Sequence, residues 1–360
     1  MKIVIPIWEF WSTGGTRVLT KLANEFVRKG HDVLVICPSD SYEPYFPIKC
    51  KVEYVDAKGN IAKREKKETP KSALKKIMRI GNKIAGLKRA LNRVSKNYDI
   101  VIANYSLTAY AVYKCKIQNK YYYIQAYEAW ENQQKSIMSR LLDLFIRYTY
   151  KLDLIRIVNA DIYLNYKEIK SDYVVPPGLD LKLYFPKKKF WNKKDKFIVG
   201  CIGRKEKWKG SQDVADAVNI LYDKKINIGF KVAFNDVNCK KYELVHPHGD
   251  NNLADFYRSV DVLVAPGILQ LGAIHYPVIE AMACGTPVIT TGYYPANSKN
   301  SYIVPISSPQ TIAKKIEEII NNYDDAMNKV SIALNDIKEF DWDITSEKML
   351  NIIRDTRKEK

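Results

Sequence analysis

Short apolar runs alternate along this chain with longer segments in which apolar residues recur every three or four positions. The short runs are typical of buried strands, and the longer period is typical of helices that pack on one face. In the N-terminal half the pattern predicts strands near 2–7, 32–37, 52–55, 100–104, 120–125 and 160–164, with the longest helices over about 16–29, 70–96 and 135–155. In the C-terminal half it predicts strands near 197–202, 228–233, 261–265 and 287–290. This alternation predicts an α/β protein with parallel, doubly wound sheets.

The stretch HYPVIEAMACGTPVI, residues 275–289, has the most informative order of parts. Pro277 suits the first turn of a helix, because its missing N–H is not needed there. We predict a helix over 278–284 with Glu280 near its start, a left-handed cap at Gly285, and a buried strand after it. The free N–H groups at the start of such a helix form an anion site. An ordinary helix–turn–strand of an α/β core explains the same residues, so both interpretations stay open.

Other motifs occur in a fixed order around this stretch. They are Gly14-Gly15-Thr16-Arg17, Lys29-Gly30-His31, Pro176-Pro177-Gly178-Leu179-Asp180, Gly203-Arg204 followed by Lys209-Gly210, and Phe340-Asp341-Trp342. The ordered set resembles the family 4 retaining glycosyltransferases of the GT-B fold over nearly the whole chain. The resemblance implies two Rossmann-like domains that face each other across a cleft.

The same resemblance implies a division of labour along the chain. Residues 1–175 would form an acceptor-binding domain that includes the basic amphipathic helix at about 70–96, and residues 190–325 would bind the nucleotide sugar. Residues 326–360 would form C-terminal helices, the last of which crosses back to the first domain. The implied reaction moves a hexose or deoxyhexose from a nucleotide-diphosphate sugar to a glycan or lipid-linked acceptor. It would proceed with retention, in the synthesis of cell-surface polysaccharide or glycoconjugate.

Three residues would carry the chemistry. Arg204 and Lys209 stand where the family's Arg and Lys hold the diphosphate, and positive groups aimed at a leaving group stabilise its developing charge. Glu280 matches the Glu that accepts hydrogen bonds from the ribose hydroxyls. The alternatives are a surface lysine at 209, where Lys205 and Lys207 are close neighbours, and a helix-start glutamate favoured by the helix dipole.

The other donor contacts would come from glycines and from the loop before Glu280. The expected positions are Gly14, Gly15, Gly203, Gly272, Ala273, Ile274, His275 and Tyr276. Glycines after the first strand let the backbone approach phosphates, and the N–H groups of 272–274 would face the sugar and diphosphate. The first Glu of the family's E-x7-E pair falls at Gly272 and is absent. The donor is then a sugar with different hydroxyl demands, such as a 6-deoxyhexose, or the protein binds nucleotide sugar or glycan without transfer.

Tyr127, Glu128 and Trp130 follow a predicted strand and are the expected acceptor contacts. Aromatic rings pack on sugar faces, and a carboxylate binds sugar hydroxyls. The pattern Q-x-Y-E-x-W is similar to a subgroup that includes bacterial rhamnosyltransferases, which suggests dTDP-rhamnose as donor. Burial of these aromatic side chains between the domains is the structural alternative.

Charge is unevenly placed. The net charge is +18, and the segment from Lys58 to Lys96 contains 14 Lys or Arg against two Glu. Apolar residues recur at helical spacing within it, so it predicts an amphipathic helix with a cationic face. A solvated helix face and docking of Lys63–Lys96 on an anionic membrane are both open interpretations. Nucleic-acid binding is disfavoured, because no interleaved aromatic residues accompany the charge.

Composition and short motifs narrow the possible locations and cofactors of the protein. No apolar run approaches the roughly 20 residues that span a bilayer, and MKIVIPIWEFW is typical of a first strand rather than a secretion signal. The six scattered cysteines are expected to be reduced. Together with the other features, this predicts a cytoplasmic protein. Peripheral attachment to the inner face of the membrane is a further hypothesis. No G-x-G-x-x-G follows strand one, so no dinucleotide cofactor is expected. Asp341-Trp342-Asp343 has the D-x-D form of a metal-binding motif, but it lies near the C-terminus between predicted helices. We therefore expect these residues to pack, and we predict no metal requirement.

Overall fold

The protein is described by a computed structural model over residues 1–66, 72–129, 137–187, 191–192 and 195–358. It divides into two compact units. The first unit comprises Met1–Gly178 together with Trp342–Lys360, and the second unit comprises Leu179–Asp341. Each unit is built on one sheet, and all strand pairs in both sheets are parallel. The prediction of two Rossmann-like parallel sheets is therefore confirmed.

The sheet of the first unit has seven strands in the order β3-β2-β1-β4-β5-β6-β7. The strands are β1 Lys2–Pro6, β2 Asp32–Pro38, β3 Lys51–Val55, β4 Ile100–Ala103, β5 Asn119–Ile124, β6 Ile155–Val158 and β7 Tyr173–Val174. Its helices are α1 Gly14–Arg28, α2 Ala73–Val94, α3 Ser106–Tyr113, α4 Ile137–Thr149 and, from the end of the chain, α10 Trp342–Thr356. The four central strands are almost wholly apolar and buried, as expected of a parallel sheet covered on both faces.

The sheet of the second unit has six strands in the order β10-β9-β8-β11-β12-β13. The strands are β8 Phe197–Gly203, β9 Ile228–Phe234, β10 Glu243–Val245, β11 Val262–Ala265, β12 Val288–Thr290 and β13 Tyr302–Ile303. Its helices are α5 Ser211–Asp223, α6 Gly249–Arg258, α7 Tyr276–Ala283, α8 Pro309–Asn321 and α9 Tyr323–Asp336. Apolar side chains form one core on each face of this sheet.

The stretch 275–289 folds as its residues predict. Pro277 lies in the first turn of α7, and β12 follows the helix directly. Gly285 has a φ of 73°, a left-handed conformation that glycine adopts without a Cβ penalty. The Gly285 N–H donates to the Met282 carbonyl (3.0 Å), and the Thr286 N–H donates to the Ala281 carbonyl (3.0 Å). This pair of bonds is the Schellman ending of a helix, so the helix stops where the strand must begin.

Two predictions near residue 160 are wrong. The strand expected near 160–164 is a short 3-10 helix, Asp161–Asn165, and the strand that does form there is β6. Helix α4 ends at Thr149, whereas the pattern extended the helix to 155. The apolar run Ile155–Val158 has only four residues, and a run that short fits a helix end as well as a strand.

Helix α2 consists of a packed half and an exposed half. Leu87, Leu91 and Val94 are buried against the first unit. Closer to the start of the helix, Leu74 and Met78 are 67% and 59% exposed, among exposed lysines. The apolar stripe therefore continues beyond the part of the helix that the sheet covers. Among the described residues, none of the helices combines the length and apolar character needed to cross a membrane.

The last helix, α10, belongs to the first unit. The Trp342 ring lies against the Gly178 backbone so closely that a Cβ on Gly178 would come within 2.3 Å of the ring. Asp343 pairs with Arg28 and, at 3.3 Å, with Lys29 of the α1 end. Trp342 therefore has the packing role that the sequence predicted, and Asp343 has a pairing role that it did not predict.

Candidate functional site

A crevice lies where the strand order of the second sheet reverses. The chain runs outward from β8 to β9 and β10, then returns to place β11 on the other side of β8. In parallel α/β sheets, ligands bind at the carboxyl ends of the strands at such a switch point. The crevice there is lined by residues that follow β8 and β11, among them Arg204, Lys209, Ser211, His275 and Pro277.

Arg204 and Lys209 are positioned by the turn between β8 and α5. Arg204 follows Gly203, the last residue of β8, and its N–H donates to the Ser211 hydroxyl (2.9 Å), which donates to the Ile202 carbonyl (3.1 Å). Lys209 ends a single 3-10 turn directly before α5. Arg204 is exposed and Lys209 is half-buried. The turn thus presents two cations at the carboxyl end of one central strand.

His275 adds a neutral ring to this pair of cations. It precedes α7, and its ring lies 4.6 Å from the Tyr293 ring, whose hydroxyl donates to the Leu269 carbonyl. Burial, followed by the charges of Lys209 and Arg204, lowers the pKa of His275 well below its ordinary value. The Nδ1 atom of His275 has no hydrogen-bond partner among the described residues. At neutral pH the crevice therefore carries two positive charges beside an uncharged imidazole, an arrangement suited to an anion with several oxygens.

Glu280 is located more deeply than its predicted role requires. It lies in α7, is 1% exposed, and accepts a hydrogen bond from the Tyr257 hydroxyl of α6 (2.8 Å). Burial, and then the Glu280 charge, raise the pKa of Tyr257 well above its ordinary value, so the phenol stays a donor. Glu280 is outside the described lining of the crevice. Its role toward a ribose stays a prediction, and it would need access that this buried position does not offer.

The loop before α7 uses part of its backbone internally. Gly272, at the position of the absent Glu, has a φ of 89°, where a side chain is strained. Its N–H donates to the Gly292 carbonyl (3.0 Å), and the Ala273 N–H donates to the Gln270 carbonyl (2.9 Å). These two N–H groups are therefore engaged within the protein, contrary to the expectation that they face the donor. Ile274 and Tyr276 follow in the same loop and first helical turn as His275.

Gly14 and Gly15 are in a helix rather than in a loop. Helix α1 begins at Gly14, two residues earlier than the pattern predicted, so both glycines form its first turn. The Gly15 carbonyl accepts a hydrogen bond from the Gln125 side chain (3.3 Å). The first turn of a helix has free N–H groups, so a phosphate role for these glycines stays a prediction.

Tyr127 is an internal residue. It is 3% exposed, and its ring is stacked on Tyr166 (3.8 Å between centroids) and on Tyr150 (5.6 Å). Its hydroxyl accepts a hydrogen bond from the Arg147 guanidinium (2.6 Å). Because neighbouring rings pack against this side chain and almost none of it is exposed, stacking on an acceptor sugar is not possible in this conformation. Tyr127 is therefore buried, as the alternative required, but by rings of its own unit rather than between the domains.

Glu128 supports a helix instead of facing an open site. Its carboxylate accepts from the Ser106 N–H at the start of α3 (3.1 Å), and its own N–H donates to the Tyr150 hydroxyl (2.8 Å). A carboxylate at a helix N-terminus satisfies free N–H groups and complements the helix dipole. The third expected acceptor contact, Trp130, lies outside the described residues.

The sequence did not single out the aromatic residues at the switch point of the first sheet. There β1 and β4 are neighbours, although β2 and β3 come between them in the chain. Trp8 and Trp11 follow β1, and Tyr105 follows β4. The signal was present as the run Trp8-Glu9-Phe10-Trp11, but its meaning depends on the strand order.

The comparisons with known proteins divide the chain as the two sheets do. Residues 12–182 match the family described as Glycosyltransferase Family 4, and residues 196–322 match Glycosyl transferases group 1. Together these matches cover more than four fifths of the chain. The chain belongs to the family 4 glycosyltransferases. The match over residues 196–322 contains the Arg204–His275 crevice, whereas the match over residues 12–182 contains Tyr105 and begins just after Trp8 and Trp11.

Similar proteins from the curated set include the D-inositol 3-phosphate glycosyltransferase of Paenarthrobacter aurescens (strain TC1). It is 24% identical over 210 residues, which cover 51% of this chain and 51% of that protein. The chain spans about half the length of the curated relatives it matches.

Two solved structures are similar over nearly the whole chain. One is sucrose-phosphate synthase from Thermosynechococcus elongatus, with a TM-score of 0.75, 16% identity and 99% of each chain covered. The other is Anabaena Alr3699/HepE in complex with UDP and glucose, with a TM-score of 0.72, 14% identity, and coverage of 98% and 99%. At these identities the likeness establishes the GT-B fold of this family 4 member and nothing finer.

Within the described ranges, no group of three or more His, Cys, Asp or Glu residues is placed to hold a metal ion. The expectation that this family 4 protein needs no metal stays a prediction.

Proposed function

We propose that the protein is a retaining glycosyltransferase. It moves a hexose or deoxyhexose from a nucleotide-diphosphate sugar to a glycan or lipid-linked acceptor, in the synthesis of cell-surface polysaccharide or glycoconjugate on the cytoplasmic side. The second unit binds the donor, and the first unit binds the acceptor. The observation that carries the proposal is the convergence of Arg204, Lys209 and neutral His275 at a switch point of a family 4 chain.

The chemistry follows from this charge distribution. As the bond between the anomeric carbon and the diphosphate oxygen breaks, the leaving nucleoside diphosphate takes the electron pair. Arg204 and Lys209 stabilise the charge that develops on it, because both are in place before the bond breaks. The acceptor hydroxyl attacks from the face that the leaving group departs from, and its proton passes to the departing phosphate oxygen. His275 donates or accepts a hydrogen bond without adding charge.

The donor is tested by a thermal-shift screen of the whole chain against UDP, GDP, dTDP, UDP-glucose and dTDP-rhamnose. A ligand that binds only the folded protein raises its melting temperature with the logarithm of its concentration over its dissociation constant. We expect one nucleotide to shift the wild type and to shift the Arg204→Ala variant less. dTDP-rhamnose is the hypothesis for the donor that the sequence pattern favours. The absence of a shift with every nucleotide would overturn the proposal.

Binding without transfer is the second candidate, because Gly272 replaces a family glutamate and has a backbone conformation unsuited to one. Slow hydrolysis of the donor sugar distinguishes the two. We expect the wild type to release free sugar from the nucleotide sugar that binds in the screen, and Lys209→Ala to release it more slowly. Binding with no hydrolysis and no transfer to any acceptor would favour the second candidate.

The exposed half of α2 supports membrane attachment as part of this function. Leu74, Ile77 and Met78 are 67%, 44% and 59% exposed, and Lys75 and Lys76 lie among them. Apolar side chains that enter the interface and lysines that attract anionic lipids reinforce each other, each lysine contributing about 1 kcal/mol near the surface. We therefore propose that this end of α2 docks on an anionic membrane.

Vesicle flotation tests the docking. We expect binding to vesicles of phosphatidylglycerol with phosphatidylcholine and little binding to phosphatidylcholine alone. A variant with serine at 74, 77 and 78 should lose binding. The matched control carries serine at Leu141 and Leu144, which are 57% and 63% exposed on α4 and lie beside Arg140 and Asp143 rather than beside two lysines. Equal loss in both variants, or no binding by the wild type, would contradict the docking.

A further inference from the structure

Three aromatic side chains lie at the carboxyl ends of β1 and β4, where the strand order of the first sheet reverses. The Trp11 and Tyr105 rings meet edge to face, with 5.8 Å between centroids, and the centroid of the Trp8 ring lies 6.3 Å from that of Tyr105. Trp8 is buried, whereas Trp11 and Tyr105 are both partly exposed. A partly exposed aromatic pair thus occupies the position at which parallel sheets bind their ligands.

The backbone holds Tyr105 in place from both sides of its peptide unit. The Tyr105 N–H donates to the Thr108 hydroxyl (3.1 Å), and this hydroxyl donates to the Tyr105 carbonyl (2.8 Å). The next N–H, that of Ser106, donates to the Glu128 carboxylate. A ring whose backbone is fixed in this way loses little conformational entropy when a ligand packs on it, which favours binding.

A polar pocket is linked to this row of rings through Lys83. The ammonium of Lys83 lies 5.2 Å from the centroid of the Trp8 ring, and Lys83 also lines a pocket of about 450 Å³ at the carboxyl ends of β2 and β3. The other lining side chains include Asp40, Arg79 and Asn82. Burial raises the pKa of Asp40, but hydrogen bonds from Lys83 and then Arg79 bring it below its ordinary value. The pocket therefore combines donors and acceptors with little net charge, as recognition of a polyol requires.

We propose that Trp11 and Tyr105 form the acceptor subsite for a carbohydrate ring, with the polar pocket available to the rest of the acceptor. The C–H face of the ring packs on the aromatic pair, and its hydroxyls point toward paired charged groups. Thr108 and Glu128 act through Tyr105 and are positioning residues. The inference rests on the proposed function, and it replaces Tyr127 with a pair that a sugar is able to reach.

Saturation-transfer NMR on the full chain tests the subsite without any donor. The probes are a panel of methyl glycosides of glucose, galactose, mannose, rhamnose and N-acetylglucosamine, together with myo-inositol. We expect transfer to the protons of one face of at least one probe. Trp11→Leu and Tyr105→Leu keep an apolar side chain but remove the ring, and each should weaken binding about tenfold. Trp11→Phe should retain most of it.

The matched control is Tyr148→Ala, since Tyr148 is exposed on α4 of the same unit, away from the switch point. This variant should bind the probes as the wild type does. Equal transfer in the wild type and both leucine variants would overturn the proposal, as would no transfer to any probe. The nucleotide melting shift, measured on the same samples, reports folding and the donor site. A wild type with a nucleotide shift but no glycoside binding would refute the subsite alone.

Discussion

Replacing the two cations of the crevice one at a time provides the sharpest test of the donor site. A unit charge about 4 Å from a phosphate oxygen contributes about 1 kcal/mol in bulk water and about 4 kcal/mol at the effective dielectric constant of a protein surface. Arg204 is exposed, so its contribution should be close to the bulk-water value. Lys209 is half-buried, so its contribution should lie between the bulk-water and protein-surface values. Arg204→Ala should therefore weaken nucleoside-diphosphate binding about fivefold, and Lys209→Ala by about 30-fold to 100-fold.

Isothermal titration calorimetry with the nucleotide found in the screen measures both losses. Lys205→Ala is the matched control, because Lys205 is an exposed cation next to Arg204 and does not line the crevice as described. It should change the dissociation constant by less than about twofold, the scale of a screened surface charge. If Lys205→Ala and Arg204→Ala weaken nucleotide binding equally, the overall positive charge of the chain, rather than the crevice, accounts for the binding. If Arg204→Ala costs more than Lys209→Ala, the burial argument is wrong.

Three further predictions use the same assays. Gly272→Ala should lower the melting temperature by a few degrees, because a Cβ at a φ of 89° costs about 1–2 kcal/mol. The control Gly81→Ala, inside α2, should raise the melting temperature. Equal effects of the two substitutions would refute the strain argument. The pKa of His275 in the folded state lies below the ordinary 6.5. As the pH falls below about 6.5, the imidazole therefore takes up a proton in the unfolded chain but not in the folded one. This uptake favours the unfolded chain, so the free energy of unfolding decreases in that pH range. The His275→Gln variant should therefore lose less melting temperature than the wild type between about pH 7.5 and pH 5, with exposed His246→Gln as the control, and parallel curves would contradict the assignment. Excess EDTA should leave the transfer rate unchanged, and a loss restored by magnesium would overturn the prediction of no metal.

Predictions from local chemistry agree best with the structure. The ending of α7 at Gly285 depends on a proline, a glycine and a short apolar run within about a dozen residues, and all three have strong conformational preferences. The turn that presents Arg204 and Lys209 is similarly local. The prediction of a strand near 160–164 was wrong, since the residues of Asp161–Asn165 have apolar character but pair with no strand. Pairing is a property of the sheet rather than of five residues.

Burial was the least predictable feature of the candidate site. Tyr127 and Trp11 are both aromatic residues that follow a strand, yet one is enclosed by other tyrosine rings and the other is partly exposed. The difference arises from Tyr150 and Tyr166, which come later in the chain and reach Tyr127 only through the fold. Glu280 shows the same limit, because its helix was predicted correctly but its partner, Tyr257, comes from another helix. Sequence spacing gives the position of a residue on its element, and only packing decides what can reach it.

The return of α10 to the first unit has a consequence for biosynthesis. The Tyr121 hydroxyl of central strand β5 makes a hydrogen bond to Thr356 (2.9 Å), and Lys29 of the α1 end pairs with Glu347 (3.1 Å). The second unit is one continuous segment, so it is able to fold as soon as it leaves the ribosome. The first unit, although most of it is made earlier, is complete only when α10 contributes its buried Met349, Leu350 and Ile353, so we expect apolar surface to stay uncovered until then. Nascent chains of this protein should therefore depend on chaperones through most of translation, and a stop codon just before Trp342 should damage the unit that was synthesised first.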